Sequence, residues 1–501
     1  MTNFESFLAT SNTIADLDAA SAVLGWDQET YMPSGGARFR AEQLATLSTI
    51  AHRLKTSSEY RDLIRAIQND SEALPSDDWR SAIVRVTSRD VDKAAKLPEA
   101  HVGELVRTTT MGQEAWKEAR TRNDFSVFAP LLERLVELKR VEADYLGYAD
   151  DPYDALIDLY EPGMTVSVLR PVFERLREGT VRLLDRIVES GIVIDDSVLY
   201  RRYDPDMQLV FAREVVGAMG FDYSRGRIDL STHPFCTTFG VGDVRLTTRV
   251  YPDDLRSCLF GLIHEAGHGM YEQGVDDRYS RTVVSAGTTM GIHESQSLFW
   301  ENMIGRGRPF WNWAFPRLKR HFGDALAGVD TEHFHRAINA VKPSLIRIEA
   351  DDLTYNLHIM IRFEIEHALI NGHLNVSDIP DVWNARMQKY LGITPPGDAD
   401  GCLQDVHWSF AGFGYFPSYT LGKLYAAMFY ESALAALPNL EDQIGQGNFK
   451  PLLEWLRSSI HVWGRSRSAA EIVADVTGGS LSEVPFLAYN SKRVEGLYGL
   501  S

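Results

Sequence analysis

LRSCLFGLIHEAGHGMYEQG, residues 255–274, combines the apolar pattern of a buried helix with two histidines four residues apart. Positions i and i+4 of a helix lie on one face, so His264 and His268 can present their imidazoles to one metal ion. Glu265 follows the first histidine, where it can accept a proton from a water molecule that the metal polarises. The alternative is that this HExxH pattern occurs by chance on an ordinary amphipathic helix.

A catalytic zinc ion needs a third protein ligand and an open position for water. The HExxHxxGxxH arrangement is disfavoured, because Gly274 stands where it requires a third histidine. The later segment GIHESQSLFWENMIG, residues 291–305, supplies His293 and Glu294 as candidates, and we prefer Glu294. Glu301 lies seven residues further on the same predicted helix face, where it can support a ligand histidine. Alternatively, both glutamates are solvated surface carboxylates.

Helical periodicity dominates the remaining sequence. In FAPLLERLVELKRVEADYLG, residues 128–147, apolar residues form one stripe between charged positions. Residues 227–251 differ, being rich in Thr, Val and Phe, and predict a strand over 244–251 after the turn at 240–242. We therefore predict one mainly α-helical domain over residues 1–501, with a small antiparallel β-sheet beside the metal helix. Its predicted parts are an N-terminal helical part (about 1–225), a sheet and metal-site core (about 226–420) and C-terminal helices (421–501).

Composition narrows the functional classes. The 501 residues carry a formal net charge of -18, with 44% hydrophobic and 24% charged residues, which is typical of a folded protein and argues against a nucleic-acid binder. Three cysteines do not form a disulfide framework and fit a reducing compartment. The N-terminal sequence lacks the basic and apolar regions of a secretory signal, and no uncharged apolar run is long enough to span a membrane. These features predict a cytoplasmic protein that binds no membrane.

Four further stretches carry polar chemistry: HPF (233–235), DVRLT (243–247), IRIEADDLTY (346–355) and GCLQDVHW (401–408). Each has an ordinary structural explanation when it is taken singly. Arg347 and Asp351 could form a helical surface ion pair worth only about 0.3–0.5 kcal/mol. His407 could be a core histidine with a satisfied hydrogen bond, and Asp243 could pair with Arg245 across strands.

Taken together and in this order, the motifs HPF, DxRxT, HExxH, HESQ, IRxxAD and GxxQDxHW resemble the carboxypeptidase Taq family of metallocarboxypeptidases. The segment LGWDQETYMPSGGARFRAEQLATLS, residues 24–48, is also similar to that family. The resemblance implies a mainly helical HExxH metallopeptidase with a deep active-site groove, commonly a homodimer. It further implies one zinc ion per chain, with cobalt as a substitute, and release of single residues from peptide C-termini.

Residue by residue, the resemblance makes His264, His268 and Glu294 the metal ligands and Glu265 the general base. One departure is visible at Asp352, where members of the family more often have Glu. The charge is the same and the side chain is one methylene shorter, so we expect altered activity rather than its loss.

Recognition of a chain end requires a fixed cation that can bind the terminal carboxylate, and arginine suits this task best. We predict Arg347 in this role and Arg245 as the reserve, which could instead brace an edge strand. His407 is the predicted donor to the oxyanion, with Tyr419 as a weaker candidate. Tyr415 lies in the same glycine-punctuated segment, GFGYFPSYTLG (412–422), and either contacts the substrate or only packs.

Two other functions are alternatives to that of a metallocarboxypeptidase with broad specificity for peptides with a free C-terminus. An oligoendopeptidase would share the HExxH motif and the distal glutamate but would not need an arginine for the terminal carboxylate. An inactive helical scaffold that binds peptides would have lost Glu265 or a ligand, whereas all four residues are present. The sequence therefore favours the active metallocarboxypeptidase.

Overall fold

The computed structural model describes residues 2–71 and 78–500. Within these residues the chain forms twenty α-helices and three short β-strands. The helices are α1 (Asn3–Thr30), α2 (Ala37–Thr56), α3 (Ser58–Ser71), α4 (Trp79–Lys96), α5 (Glu99–Arg122), α6 (Ala129–Leu146), α7 (Pro152–Ile157), α8 (Val166–Glu189), α9 (Pro205–Met219), α10 (Leu255–Glu272), α11 (Met290–Leu298), α12 (Arg308–His321), α13 (Thr331–Ile338), α14 (Tyr355–Ile370), α15 (Ile379–Leu391), α16 (Pro417–Ala436), α17 (Leu440–Gly445), α18 (Lys450–Ser459), α19 (Ala469–Thr477) and α20 (Val484–Tyr498).

Shorter helical segments join these elements. The 3-10 turns are Ser34–Gly36, Phe125–Val127, Ser197–Tyr200, Asp277–Tyr279, Arg347–Glu349, Val376–Asp378, His407–Phe410 and His461–Ser466, and a π-helical segment, Phe299–Gly305, follows α11 directly. The prediction of a mainly α-helical protein is confirmed. No helix of the described part of the chain is both long and apolar enough to cross a membrane.

The chain is divided into two compact units, each assembled from three separate segments. Unit 1 comprises Met1–Ala94, Asp195–Ile338 and Phe429–Ser480. Unit 2 comprises Ala95–Ile194, Asn339–Met428 and Leu481–Ser501. The predicted single domain with its three consecutive parts stays a prediction.

The amphipathic patterns become the buried faces of the helices. On α6 the predicted stripe is buried at Leu132, Leu135, Val136 and Leu138. Burial of such side chains removes apolar area from water at roughly 25 cal/mol per Å². Tertiary packing of one apolar face, rather than helix propensity alone, therefore stabilises these helices.

Helix α10 lies in the interior of unit 1 and contains the HEAGH segment. It packs against α9, α11 and strand β3 (Val244–Thr248). The Asp254 side chain accepts a hydrogen bond from the backbone N–H of Arg256 and caps its first turn. The metal motif is therefore carried by a helix that contacts other elements on several sides.

The sheet beside α10 is mixed, so the predicted antiparallel sheet is wrong in its topology. Its strands are β1 (Gly226–Leu230), β2 (Cys236–Thr238) and β3, in the spatial order β1-β3-β2. Strands β2 and β3 are antiparallel and joined by the predicted turn, whereas β1 pairs with β3 in parallel. The chain reverses twice between β1 and β3, which restores its direction, and β3 then lies between the other two strands. Alternation of residue types does not fix this order.

Helix α14 is largely buried within unit 2. Twelve of its sixteen residues are buried, and they include the charged or polar residues Asn356, His358, Arg362 and Glu366. It packs against α6, α7, α8 and α15. Because buried polar groups need partners, these side chains indicate a hydrogen-bonded network inside unit 2.

Candidate metal centre

Three side chains of unit 1 converge as a group that could hold a metal ion: His264, His268 and Glu294. One ligand atom from each lies within 4.8 Å of the other two. Glu294 Oε2 is 3.7 Å from His264 Nε2 and 3.5 Å from His268 Nε2. The geometry therefore brings the two HEAGH histidines together with Glu294.

The donor set fits a tetrahedral zinc-type ion. Metal–ligand distances near 2.0–2.1 Å place two tetrahedral ligands about 3.3 Å apart, close to the observed nitrogen–oxygen separations. Two imidazoles and one carboxylate also leave the fourth position open, as a catalytic site requires. The other ring nitrogen of each histidine already has a partner, so both Nε2 atoms remain for the ion.

Glu301 supports His264. Its Oε2 accepts a hydrogen bond from His264 Nδ1 at 3.0 Å, and its Oε1 accepts one from Arg306 Nη2 at 2.9 Å. Burial alone would raise the pKa of Glu301, but His264 and Arg306 outweigh it and lower that pKa to about 2. A carboxylate that is ionised in this way fixes the tautomer and orientation of the ligand imidazole.

A chain of hydrogen bonds supports His268. His268 Nδ1 lies 3.0 Å from the carbonyl oxygen of His293 and 2.6 Å from His293 Nδ1. His293 Nε2 lies 2.8 Å from Glu272 Oε1. If His268 Nε2 binds the ion, the proton of this imidazole is on Nδ1, which donates to His293. His293 Nε2–H then donates to Glu272. His293, the alternative ligand in the sequence, is thus a support for His268 in this geometry.

The electrostatic environment of the triad favours a cation. Burial lowers the pKa of His264, yet Glu294 and Glu301 raise it to about 10. Burial, reinforced by Glu294, raises the pKa of Glu265 to about 7, although His264 opposes this rise. The excess of carboxylates around two imidazoles produces a negative potential that a divalent ion would neutralise.

A glycine inside the HEAGH segment allows α11 to approach α10. A Cβ atom at Gly267 would lie 2.5 Å from the carbonyl oxygen of Gln296 and 2.6 Å from the Cα of Ser297. Backbone contact of this kind brings Glu294, two residues before Gln296, to the histidines. Sequence reasoning missed the importance of Gly267, although a glycine between the two motif histidines is the signal that could have revealed it.

Arg245, the reserve candidate for the terminal carboxylate, is already engaged within unit 1. Its Nε and Nη2 donate to Asp243 at 3.0 and 2.9 Å. The guanidinium carbon lies 4.3 Å from the ring centre of Trp26 and 4.7 Å from that of Phe239. The pair therefore joins positions two residues apart at the start of β3 rather than two strands, and Arg245 lies on the central strand of the sheet and not on an edge strand.

Arg347 in unit 2 is buried and held by Asp405. Its Nη2 donates to Asp405 Oδ1 at 2.7 Å, its Nε lies 3.2 Å from both carboxylate oxygens, and its Nη1 donates to Tyr355 at 2.5 Å. Arg347 does not pair with Asp351, because the segment is a 3-10 turn and not an α-helix. The Arg347 guanidinium has five N–H groups. These contacts engage one N–H on each of its three nitrogens, so one N–H remains on Nη1 and one on Nη2.

Asp405 also binds a second buried arginine. Arg362 Nε donates to Asp405 Oδ2 at 2.7 Å, and the pKa of Asp405 lies well below its ordinary value, because the two arginines outweigh burial. The sequence motif around Asp405 predicts no role for this residue. An aspartate two residues before His407 was the only local signal, and Arg362 lies 43 residues away along the chain.

His407, Tyr415 and Tyr419 lie together near Arg347. His407 Nε2 is 3.3 Å from the Tyr419 hydroxyl, and the ring centres of His407 and Tyr415 are 5.2 Å apart. The Arg347 guanidinium carbon is 5.0 Å from the ring centre of Tyr419. Burial, reinforced by Arg347, lowers the pKa of His407 to about 4, so its imidazole is neutral near pH 7. The structure thus groups all four unit 2 candidates.

Asp352, the one visible departure from the family pattern, belongs to a buried ion-pair cluster. Its Oδ1 accepts from Lys423 at 2.5 Å, and its Oδ2 lies 3.3 Å from Arg493. Two cations compensate the buried carboxylate, so the shorter side chain keeps its charge partners.

Comparison with known proteins agrees with this geometry. The model of the carboxypeptidase Taq (M32) metallopeptidase family matches residues 6–494. Thermostable carboxypeptidase 1 of Thermus thermophilus is 41% identical over 99% of both chains, and carboxypeptidase 1 of Bacillus subtilis is 40% identical over 97% of this chain and 96% of its own. The crystal structure of the M32 carboxypeptidase from Deinococcus radiodurans is 38% identical and superimposes with a TM-score of 0.96 over the whole of both chains.

These matches confirm the predicted resemblance and do not favour an oligoendopeptidase or an inactive scaffold. They extend over nearly the entire sequence and include the segment with the His-His-Glu group. The chain belongs to the carboxypeptidase Taq (M32) family of metallopeptidases.

Proposed function

We propose that His264, His268 and Glu294 hold the metal ion of this metal-dependent carboxypeptidase and that Glu265 is its general base. The observation that carries this proposal is the convergence of the three ligand atoms within 4.8 Å on helices α10 and α11. A bound divalent ion supplies Lewis acidity, which polarises the scissile carbonyl group and lowers the pKa of water.

Glu265 follows the first ligand in sequence and is only 8% exposed. In the proposed mechanism its carboxylate accepts the proton of the attacking water and then transfers it to the leaving amine. Glu301 and His293 keep the two imidazoles in the orientation that ligation needs. We further propose zinc as the ion, since two imidazoles with one carboxylate form a typical zinc donor set, with cobalt as a substitute.

We propose Arg347 as the residue that binds the C-terminal carboxylate of the peptide. Asp405 holds its buried guanidinium at Nε and Nη2, and Tyr355 contacts it at Nη1, while each terminal nitrogen keeps one N–H for a ligand. A planar pair of donors of this kind matches the two oxygens of a carboxylate. Arg245 is the less suitable candidate, because Asp243 and two aromatic rings already surround it.

For the oxyanion of the tetrahedral intermediate we propose His407 as donor, with Tyr419 as a second donor and Tyr415 as a substrate contact. A neutral imidazole still carries one N–H, and the low pKa of His407 keeps it in that form. The contact between His407 Nε2 and the Tyr419 hydroxyl supports a shared role. Peptides of varied sequence are the proposed substrates.

The function is tested by mass spectrometry of one peptide in two forms, with a free and with an amidated C-terminus. Each form is incubated with zinc-loaded enzyme and with chelated enzyme. We expect a metal-dependent series of single-residue losses from the free peptide only, because amidation removes the charge that Arg347 would bind. Internal cleavage of both forms would contradict the carboxylate clamp.

We also propose a homodimeric, cytoplasmic enzyme. The three cysteines of the described chain are free thiols, which suits a reducing compartment. The homodimer rests on the family resemblance, and light scattering of the purified enzyme would test it by the molecular mass in solution.

A further inference from the structure

Helix α14 holds the segment 404–414 through two buried side chains, Arg362 and Glu366, which are one turn apart. Arg362 donates to Gln404 at 2.9 Å and to Asp405 at 2.7 Å. Glu366, four residues later, is fully buried and accepts hydrogen bonds from the same segment further along.

Glu366 contacts both ends of residues 408–414, the segment that separates the proposed active-site residues His407 and Tyr415. Its Oε1 accepts from Trp408 Nε1 at 2.8 Å, and Trp408 directly follows His407. Its Oε2 accepts from the backbone N–H of Gly414 at 2.9 Å, and Gly414 directly precedes Tyr415. One carboxylate therefore fixes both ends of residues 408–414.

The backbone between these two points needs such support. Ala411 has φ 60° and Gly414 has φ 85°, both in the left-handed region. The left-handed region is unfavourable for alanine, so neighbouring contacts must maintain it. A Cβ atom at Gly414 would lie 2.6 Å from the backbone of Leu156, which shows how closely the segment is packed.

We propose that Glu366 is a positioning residue that sets the places of His407 and Tyr415 by binding Trp408 and Gly414. This inference rests on the roles proposed above for His407 and Tyr415. All three groups that contact the carboxylate are hydrogen-bond donors, the third being the Tyr153 hydroxyl at 2.5 Å from Oε2. An ionised carboxylate is the group that can accept from all of them.

Glu366→Gln is the first test, made in the zinc-loaded enzyme. The amide oxygen can accept on one side only, so its NH₂ group must oppose the N–H of either Trp408 or Gly414. We expect kcat to fall by about 10-fold or more, since displacement of a catalytic group by about 1 Å costs up to about 100-fold. KM should rise by a smaller factor than kcat falls, because Tyr415 is displaced as a substrate contact while Asp405 holds Arg347 independently.

Tyr153→Phe is the matched control. It removes the third donor from the same carboxylate oxygen but leaves both contacts to the segment intact. We expect a lower Tm with kcat within about twofold of wild type. A merely structural role of Glu366 would instead make kcat follow Tm equally in both variants, and that result would overturn the proposal.

Hydrogen exchange supplies a readout that does not depend on catalysis. In Glu366→Gln the Gly414 amide should exchange faster than in wild type, and in Tyr153→Phe it should not. The double variant E366Q/W408F removes the opposing indole N–H, so the amide oxygen can accept from Gly414. We expect slower exchange at Gly414 and a recovery of kcat of about fivefold over the single variant. Unchanged exchange in Glu366→Gln would overturn the proposal.

The His407→Ala and Tyr415→Phe variants separate this inference from the proposed function. If both retain wild-type kcat and KM, the roles proposed for these residues fail, and the Glu366 proposal fails with them as a statement about catalysis. If they lose activity while Glu366→Gln keeps it, only the positioning role of Glu366 is refuted.

Discussion

Replacement of Glu301, the carboxylate that accepts a hydrogen bond from His264, should weaken zinc binding by an amount that can be estimated. Glu301 accepts from His264 Nδ1 at 3.0 Å, and its low pKa, about 2, shows that it is ionised at neutral pH. Glu301→Gln keeps an acceptor oxygen but removes the charge. Hydrogen bonds to charged groups contribute about 1.5–3 kcal/mol and neutral ones about 0.5–1.5 kcal/mol. The difference of about 1.4 kcal/mol corresponds to about tenfold weaker zinc binding.

Competition with a chromophoric zinc chelator at pH 7.5 measures this change as a ratio of Kd values. Glu332→Gln is the matched control, because Glu332 forms an exposed ion pair with Arg308 in the same unit. We expect an unchanged Kd for the control. A Kd of Glu301→Gln within twofold of wild type would refute the reasoning that Glu301 tunes a ligand histidine.

Three further changes test other parts of the account. Gly267→Ala should weaken zinc binding by at least about tenfold in the same titration, because its methyl group would lie 2.5 Å from the Gln296 carbonyl oxygen. Gly261→Ala on the same helix meets no atom closer than 3.9 Å and should bind normally; equal effects would contradict the close approach. Arg347→Lys should lower kcat/KM on free-ended peptides by about tenfold or more, since an ammonium cannot reproduce the planar fork, and an unchanged value would exclude the clamp. Burial and neighbouring arginines lower the pKa of His358 to about 3 in the folded chain. Below pH 6.5 the unfolded chain binds a proton at this histidine and the folded chain does not, so the free energy of unfolding falls as the pH decreases from 6.5. Urea denaturation should show that His358→Gln loses about 2 kcal/mol less than wild type between pH 7 and pH 5, and equal losses would refute this pKa.

Local sequence patterns predicted that His264, His268 and Glu294 lie close together, as the structure places them. His264 and His268 are one helical turn apart, so their shared face follows from helix geometry alone. Glu294 was preferred because a third ligand was needed and the next helix supplied a carboxylate. Both arguments concern one helix or two successive helices, and sequence patterns report such relations directly.

Contacts between distant segments could not be predicted in the same way. The pairing of Arg347 with Asp405 joins two motifs 58 residues apart, and neither motif specifies the other. The role of Glu366 depends on how α14 packs against residues 408–414, and a buried glutamate on an apolar helix carries no signal for its partners. The mixed sheet has a similar cause, because the pattern of β3 identifies a strand but not its neighbours.

The most direct test of the central claim is the kcat of Glu265→Gln, determined on enzyme whose zinc content is measured in the same sample. Glu265 is not among the three proposed ligands, so one zinc ion per chain should remain. Loss of the general base should then lower kcat by about 10²- to 10⁴-fold. A kcat within tenfold of wild type at full zinc occupancy would contradict the proposed mechanism, as would loss of the metal itself.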